Sequence, residues 1–202
     1  MGIRDSLCLL IGLPACAGLI LCAQPLLSTL FQYGKFGATD VRMASWSLMA
    51  QSMAVPAFLL VKVLAPAFYS RQDTRTPVRA AVVAVLTNAL CTLLFFMVML
   101  YGTGPGRQAL QAAGGNAMLA LGNVQGAHAL LALAIGIAGW VNALQLAWLL
   151  RKAGVYRRQP GWGRFLRQIV LATVAMTLVV VAFRFAWVDW TPWAWWERGW
   201  RL

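Results

Sequence analysis

Apolar positions in this chain do not alternate with polar ones at a period of two or of 3.6. They run on in blocks, and the charges stand between the blocks. Ser6 to Gly34 is a run of 29 residues without a charge. Met43 to Val61, Ala80 to Gly106 and Gln108 to Leu150 are three more. A fifth apolar block, Phe165 to Val188, holds charges only near its edges, at Arg167 and Arg184. About 20 apolar residues of helix cross the roughly 30 Å hydrocarbon core of a bilayer. Backbone polar groups inside that core must be satisfied internally, which leaves helices or a closed barrel. Barrel strands would show segments of about 10 residues with alternating polarity, and these blocks are longer and apolar on every face. The pattern predicts an all-α, polytopic transmembrane helix bundle of about five spans, over 7–30, 43–69, 78–101, 127–150 and 165–188. Residues 1–188 form the bundle, and 189–202 a Trp-rich interfacial tail.

Punctuation refines the helices. Pro14 and Pro25 fall inside the first span, and Pro56 and Pro66 inside the second, where each removes a backbone donor and predicts a bend. Pro77 stands in the first turn of the third span, where proline is tolerated. Residues 102–126 contain seven glycines and only one charge, Arg107, and read as an external loop whose 117–121 stretch could dip into the interface. Residues 187–202 hold six of the ten tryptophans. Indole favours the headgroup region, so the tail reads as an anchor, with an aromatic platform for a sugar or lipid headgroup as the alternative.

Composition confirms the class, with 61% hydrophobic and 11% charged residues and a mean hydropathy of +0.70. A net charge of +12 raises the question of nucleic acid, but the basic residues sit at span ends and not on one soluble face. They are topology signals. One side collects Arg4, Arg71, Arg75, Arg79, Arg151, Lys152, Arg157, Arg158, Arg164 and Arg167, ten in all. The other collects Lys35, Arg42, Arg107, Arg184, Arg198 and Arg201, which is six. The positive-inside rule puts the first group and the N-terminus in the cytoplasm and the Trp-rich tail outside. The first apolar run exceeds the length of a signal-peptide core, so a cleavable leader is not expected.

Candidate chemistry is sparse. Cys8, Cys16, Cys22 and Cys91 lie within spans without metal-ligand spacing, and His128 has no neighbouring ligand, so no metal site is expected. No Gly-rich phosphate loop and no nucleophile–base grouping is present, so neither a cofactor nor an enzymatic activity is expected. The five acids (Asp5, Asp40, Asp73, Asp189 and Glu197) stand at span ends or in links, which leaves no intramembrane carboxylate for an ion relay of the usual kind. Lys62 is the one ionisable residue well inside a span, about 12 Å of helix rise from Ser70. It either lines a polar cavity or substrate path, or it snorkels toward the surface. Gln51, Asn88, Thr92, Asn142 and Gln145 fit a groove lining or ordinary helix–helix hydrogen bonding.

Two motifs carry a family resemblance. Phe31-Gln32-Tyr33-Gly34-Lys35-Phe36, followed at matching distance by the segment from Val61 to Arg79 (VKVLAPAFYSRQDTRTPVR), closely resembles the MurJ (MviN) lipid II flippases of the multidrug/oligosaccharidyl-lipid/polysaccharide exporter superfamily. The likeness covers about the first 165 residues, including Gln159-Pro160-Gly161-Trp162, and departs in the long 102–126 segment. It implies a fourteen-helix, two-lobed transporter of which these spans match helices nine to thirteen, a partial second lobe. It further implies a multi-pass protein of the bacterial inner membrane whose partners are the lipid-linked peptidoglycan precursor, membrane lipids and the missing helices. The family's pyrophosphate-holding residues lie mostly in helices absent here. The substrate-path candidates in this chain are Lys62, Arg71, Arg75, Arg79, Asn88 and Asn142. Export of a lipid-linked polysaccharide repeat unit, or a non-transporting membrane module, are the alternative functions.

Overall fold

The computed structural model describes residues 3–33, 35–124, 126–154 and 162–186. The described residues are helical with short links, and five helical segments are long and apolar enough to cross a membrane. The first, α1 (Ile3–Phe31), is continuous past both Pro14 and Pro25. Ser28 and Thr29 each donate a hydroxyl hydrogen to the Pro25 carbonyl, at 2.9 and 2.8 Å.

The second predicted span is two helices, α2 (Ala38–Ser52) and α3 (Val55–Tyr69), separated by a turn at Met53 and Ala54. Pro56 supplies the reason. Inside a continuous helix its ring would meet the Ser52 carbonyl and leave it without a donor. By ending α2 first, the chain places Pro56 in the first turn of α3, where a missing N–H costs nothing. Pro66, expected to kink the same span, lies within α3 without ending it.

The third span is α4 (Arg75–Met97), which runs into a π-helical turn over Val98–Gly102. The expected external loop then contains two short helices, α5 (Gly104–Ala112) and α6 (Ala117–Asn123). Each has its own cap. The Thr103 hydroxyl oxygen accepts from the Gly106 N–H at 3.2 Å, and the Asn116 side chain accepts from the amides of Met118 and Leu119 at 3.1 and 3.3 Å. These caps satisfy first-turn donors that a helix leaves open. The last two spans are α7 (Ala127–Lys152) and α8 (Trp162–Ala186). The Trp-rich tail and the 155–161 link lie outside the described residues.

The spans pack in a row, α8 against α1, α1 against α2 and α3, these against α7, and α7 against α4. Small residues let α7 sit at the centre of the row: Ala132, Ala134, Gly136, Ala138, Gly139 and Ala143 are all buried, as expected where helices approach closely in lipid. A Cβ on Gly139 would lie 2.9 Å from the Phe58 ring, and one on Gly12 would lie 3.0 Å from Leu59. These close approaches tie α3 to α7 on one side and to α1 on the other. The outer helices α4 and α8 keep long apolar faces exposed, among them Val82, Leu86, Leu90 and Leu93 on α4, and Leu171, Val174 and Leu178 on α8.

Candidate functional site

One buried cluster fixes how the spans are registered: Leu64 and Phe68 of α3, Ala80 of α4, and Leu146 and Leu150 of α7. The end of α3, the start of α4 and the end of α7 therefore meet at one end of the row. The α3–α4 corner presents exposed Arg71, Arg75 and Arg79 there. The end of α7 adds Arg151 and Lys152, both exposed. Gly18 of α1 approaches Met176 of α8, 3.9 Å from a Cβ at Gly18 to Cε. That contact sets α8 beside α1. The structure thus gathers five of the predicted basic residues, Arg71, Arg75, Arg79, Arg151 and Lys152, at one end of the spans, while Lys35, Arg42 and Arg107 stand at the other.

The corner is built locally. Gln72 takes a left-handed backbone, φ 59°, after the amides of Ser70, Arg71 and Gln72 have closed the α3 terminus onto Pro66, Phe68 and Tyr69. Asp73 then turns its carboxylate onto the start of α4 and accepts the Thr76 N–H at 3.1 Å. The hydroxyl and amide of Thr76 hold the Asp73 carboxyl below its ordinary pKa, against an opposing desolvation and with lesser help from the Arg75 amide and the Arg79 charge. The acid in the motif thus ties the corner together and leaves the three arginines free of it as ion-pair partners among the described residues.

Lys62 stands one helix face away from Leu64 and is exposed. Among the described residues it has no ion pair or hydrogen bond on its side chain. Pro66 offers no N–H to the carbonyl four residues back, which is that of Lys62. A charge and a helix carbonyl without its helical donor thus share one turn of α3.

Asn88 and Asn142 sit differently. Asn88 lies eight residues on from Ala80 along α4, about 12 Å of rise, and Asn142 four residues back from Leu146 along α7, about 6 Å. Their Oδ1 atoms are buried and accept no hydrogen bond among the described residues. The pair stands on two helices packed against each other, apart from exposed Lys62. Thr92 and Gln145 are half-buried on the same two helices.

Sequence reasoning missed the break at Met53. Trp140 of α7 donates its indole N–H to the Met53 carbonyl at 3.0 Å, closing an acceptor that the interrupted helix leaves open. Pro56 was the available signal, but a proline alone does not distinguish a bend from a stop. Also unforeseen was the steric demand at Gly106, where a Cβ would overlap the Met99 carbonyl and lie 2.8 Å from its carbon.

These features define a multi-pass α-helical membrane protein with a basic corner at one end of its spans and isolated polar groups within them. A family model described as Lipid II flippase MurJ matches residues 3–104. The chain belongs to the lipid II flippase MurJ family. It is 34% identical over 167 residues to the "Lipid II flippase MurJ" of Burkholderia cenocepacia, a match that covers 83% of this chain and 27% of that protein. The "Probable lipid II flippase MurJ" of Haemophilus influenzae is 33% identical over 171 residues, 85% of this chain and 28% of its own length. That of Vibrio cholerae is 47% identical over 85 residues, 42% of this chain and 16% of the relative. The chain therefore spans between 16% and 28% of these three relatives.

Proposed function

We propose that this chain serves the translocation of a lipid-linked peptidoglycan precursor across the bacterial inner membrane, as a set of five spans within a larger transporter and not as an enzyme. The family membership carries this reading, because the matched residues 3–104 include the whole segment from Val61 to Arg79. In that segment an exposed intramembrane cation, Lys62, leads along one helix to a corner of exposed arginines, Arg71, Arg75 and Arg79. A pyrophosphate-linked lipid is an anion on an apolar tail. An exposed α3 face with a cation in mid-span, ending in guanidinium groups that can bind phosphate oxygens in a fork, suits such a substrate. Asn88 and Asn142 offer uncharged acceptors deeper between helices, and suit a role in setting how α4 moves on α7.

The imbalance of ten basic residues against six supports an orientation with the basic corner in the cytoplasm. Alternating access needs two bundles rocking about a shared site, whereas these five spans form a single row. The chain is therefore expected to act only together with further helices. Complementation tests this. In cells depleted of their own flippase, residues 1–202 alone should give no rescue, and co-expression with the remaining helices of a relative should restore growth. Rescue by the chain alone would refute the dependence on further helices. Failure of every combination, with the chain present in the membrane, would refute the flippase reading and leave a polysaccharide exporter or a non-transporting module.

A further inference from the structure

The excursion between α4 and α7 leaves the row of spans at Gly102 and returns at Ala127, so both its ends are pinned to the boundary of the membrane. Between them Arg107 is the only charge. The segment forms two capped helices. Gly106 lies against the backbone of Met99 and Leu100, which seats α5 directly on the π-helical turn. The Nε–H of Arg107 donates to the Tyr101 carbonyl at 2.6 Å, a second tie to that turn. Ala120 of α6 is fully buried, while its neighbours Met118 and Leu119 are 85% and 61% exposed. Among the described residues of the loop these two are the exposed large apolar side chains.

We propose that α5 and α6 form a membrane-interface anchor, with Met118 and Leu119 inserted among the acyl chains of the leaflet opposite the basic corner and Arg107 at the level of the phosphates. Continuity carries the choice of occupant. The π-helical turn on which this unit sits continues the exposed apolar face of α4 through Met97, Val98 and Tyr101, and α6 touches that turn, so the unit stands at the end of an apolar surface of the kind that faces lipid. A short uncharged helix with one apolar edge and a nearby cation fits the headgroup region, where apolar burial and attraction to anionic lipid act together. A second protein is a poorer fit, since two side chains of a seven-residue helix fall far short of the roughly 800 Å² per partner of a stable interface. The proposal stands on membrane spanning alone and is independent of what the protein transports.

The test places the full chain, with its four native cysteines replaced, in vesicles of phosphatidylethanolamine and phosphatidylglycerol. An environment-sensitive fluorophore is attached at Met118→Cys or, as a control, at exposed Gln111→Cys. Position 118 should emit at clearly shorter wavelength than position 111 and be quenched by nitroxide-bearing lipids. Emission at 118 like that in water would overturn the proposal. So would shifted emission without lipid quenching, which would mean a protein cover. The unaltered chain gives a second reading. Sulfoxide formation at Met118 by a water-soluble oxidant should be at least several-fold slower in vesicles than in a free peptide of residues 110–124. Equal rates would also overturn it.

Discussion

Trp140 of α7 holds the carbonyl of Met53 at 3.0 Å, at the point where the second span stops and restarts. The two residues are 87 positions apart in the chain, and the bond joins the weakest point of one span to the helix at the centre of the row. Without it the carbonyl would face hydrocarbon or a neighbouring helix with no donor, which is costly in a membrane.

Trp140→Phe keeps the ring and removes the donor. It should lower the stability of the chain in detergent by about 1 kcal/mol, the usual worth of one such bond between helices. Thermal unfolding followed by circular dichroism would measure this, and faster sulfoxide formation at exposed Met53 should accompany it. An unchanged midpoint together with unchanged Met53 oxidation would show that the break is held by packing alone.

Gly106→Ala should be the more damaging change. The added methyl would overlap the Met99 carbonyl, a backbone atom that cannot swing aside as a side chain does. A cost on the order of 1–3 kcal/mol is expected for such overpacking, centred on the seat of α5. Gly104→Ala is the matched control, since a Cβ there meets nothing within 4 Å. Equal stability of the two variants would contradict the close contact.

The Asp73 cap gives a pH dependence of known sign. Its carboxyl is held below the ordinary value by Thr76. The cap's contribution is therefore complete above the unfolded carboxyl range near 3.9 and is lost as pH falls through the lower native value. Amide exchange at Thr76 should quicken in Asp73→Ala at neutral pH, whereas Asp73→Asn, which keeps an acceptor, should stay close to the parent. Exchange indifferent to both substitutions would remove the cap from the account of the corner.

Lys62→Leu, made at the matching position of a full-length relative, should leave membrane insertion intact and reduce rescue of flippase-depleted cells. Lys62→Arg should restore part of the activity. If the Leu variant complements fully, the cation serves only to snorkel.

The orientation can be read with single cysteines in a background lacking Cys8, Cys16, Cys22 and Cys91. An impermeant maleimide added to intact spheroplasts should label Gln111→Cys and spare Thr74→Cys until the cells are opened. Labelling in the reverse order would put the basic corner outside.

Five apolar helical spans were legible in the sequence, because a hydrocarbon solvent imposes length and apolarity on each span independently of its neighbours. The family was legible too, through the segment from Val61 to Arg79. Other features depended on contacts between distant residues. Pro56 stops a helix while Pro14, Pro25 and Pro66 do not, and what differs is the surroundings, including a donor such as Trp140 that satisfies the freed backbone. The polar loop became α5 and α6 because Gly106 could settle on the Met99 backbone, a fit that no local propensity states. From its position Lys62 could line a cavity or snorkel, and only packing decides which face of a helix is exposed: here Leu64 and Phe68 turn into the cluster with α7 and Lys62 is left exposed. Solvent sets what each segment must be, and can be read one residue at a time. Which faces meet is a joint property of helix pairs, so it was decided only in the assembled row.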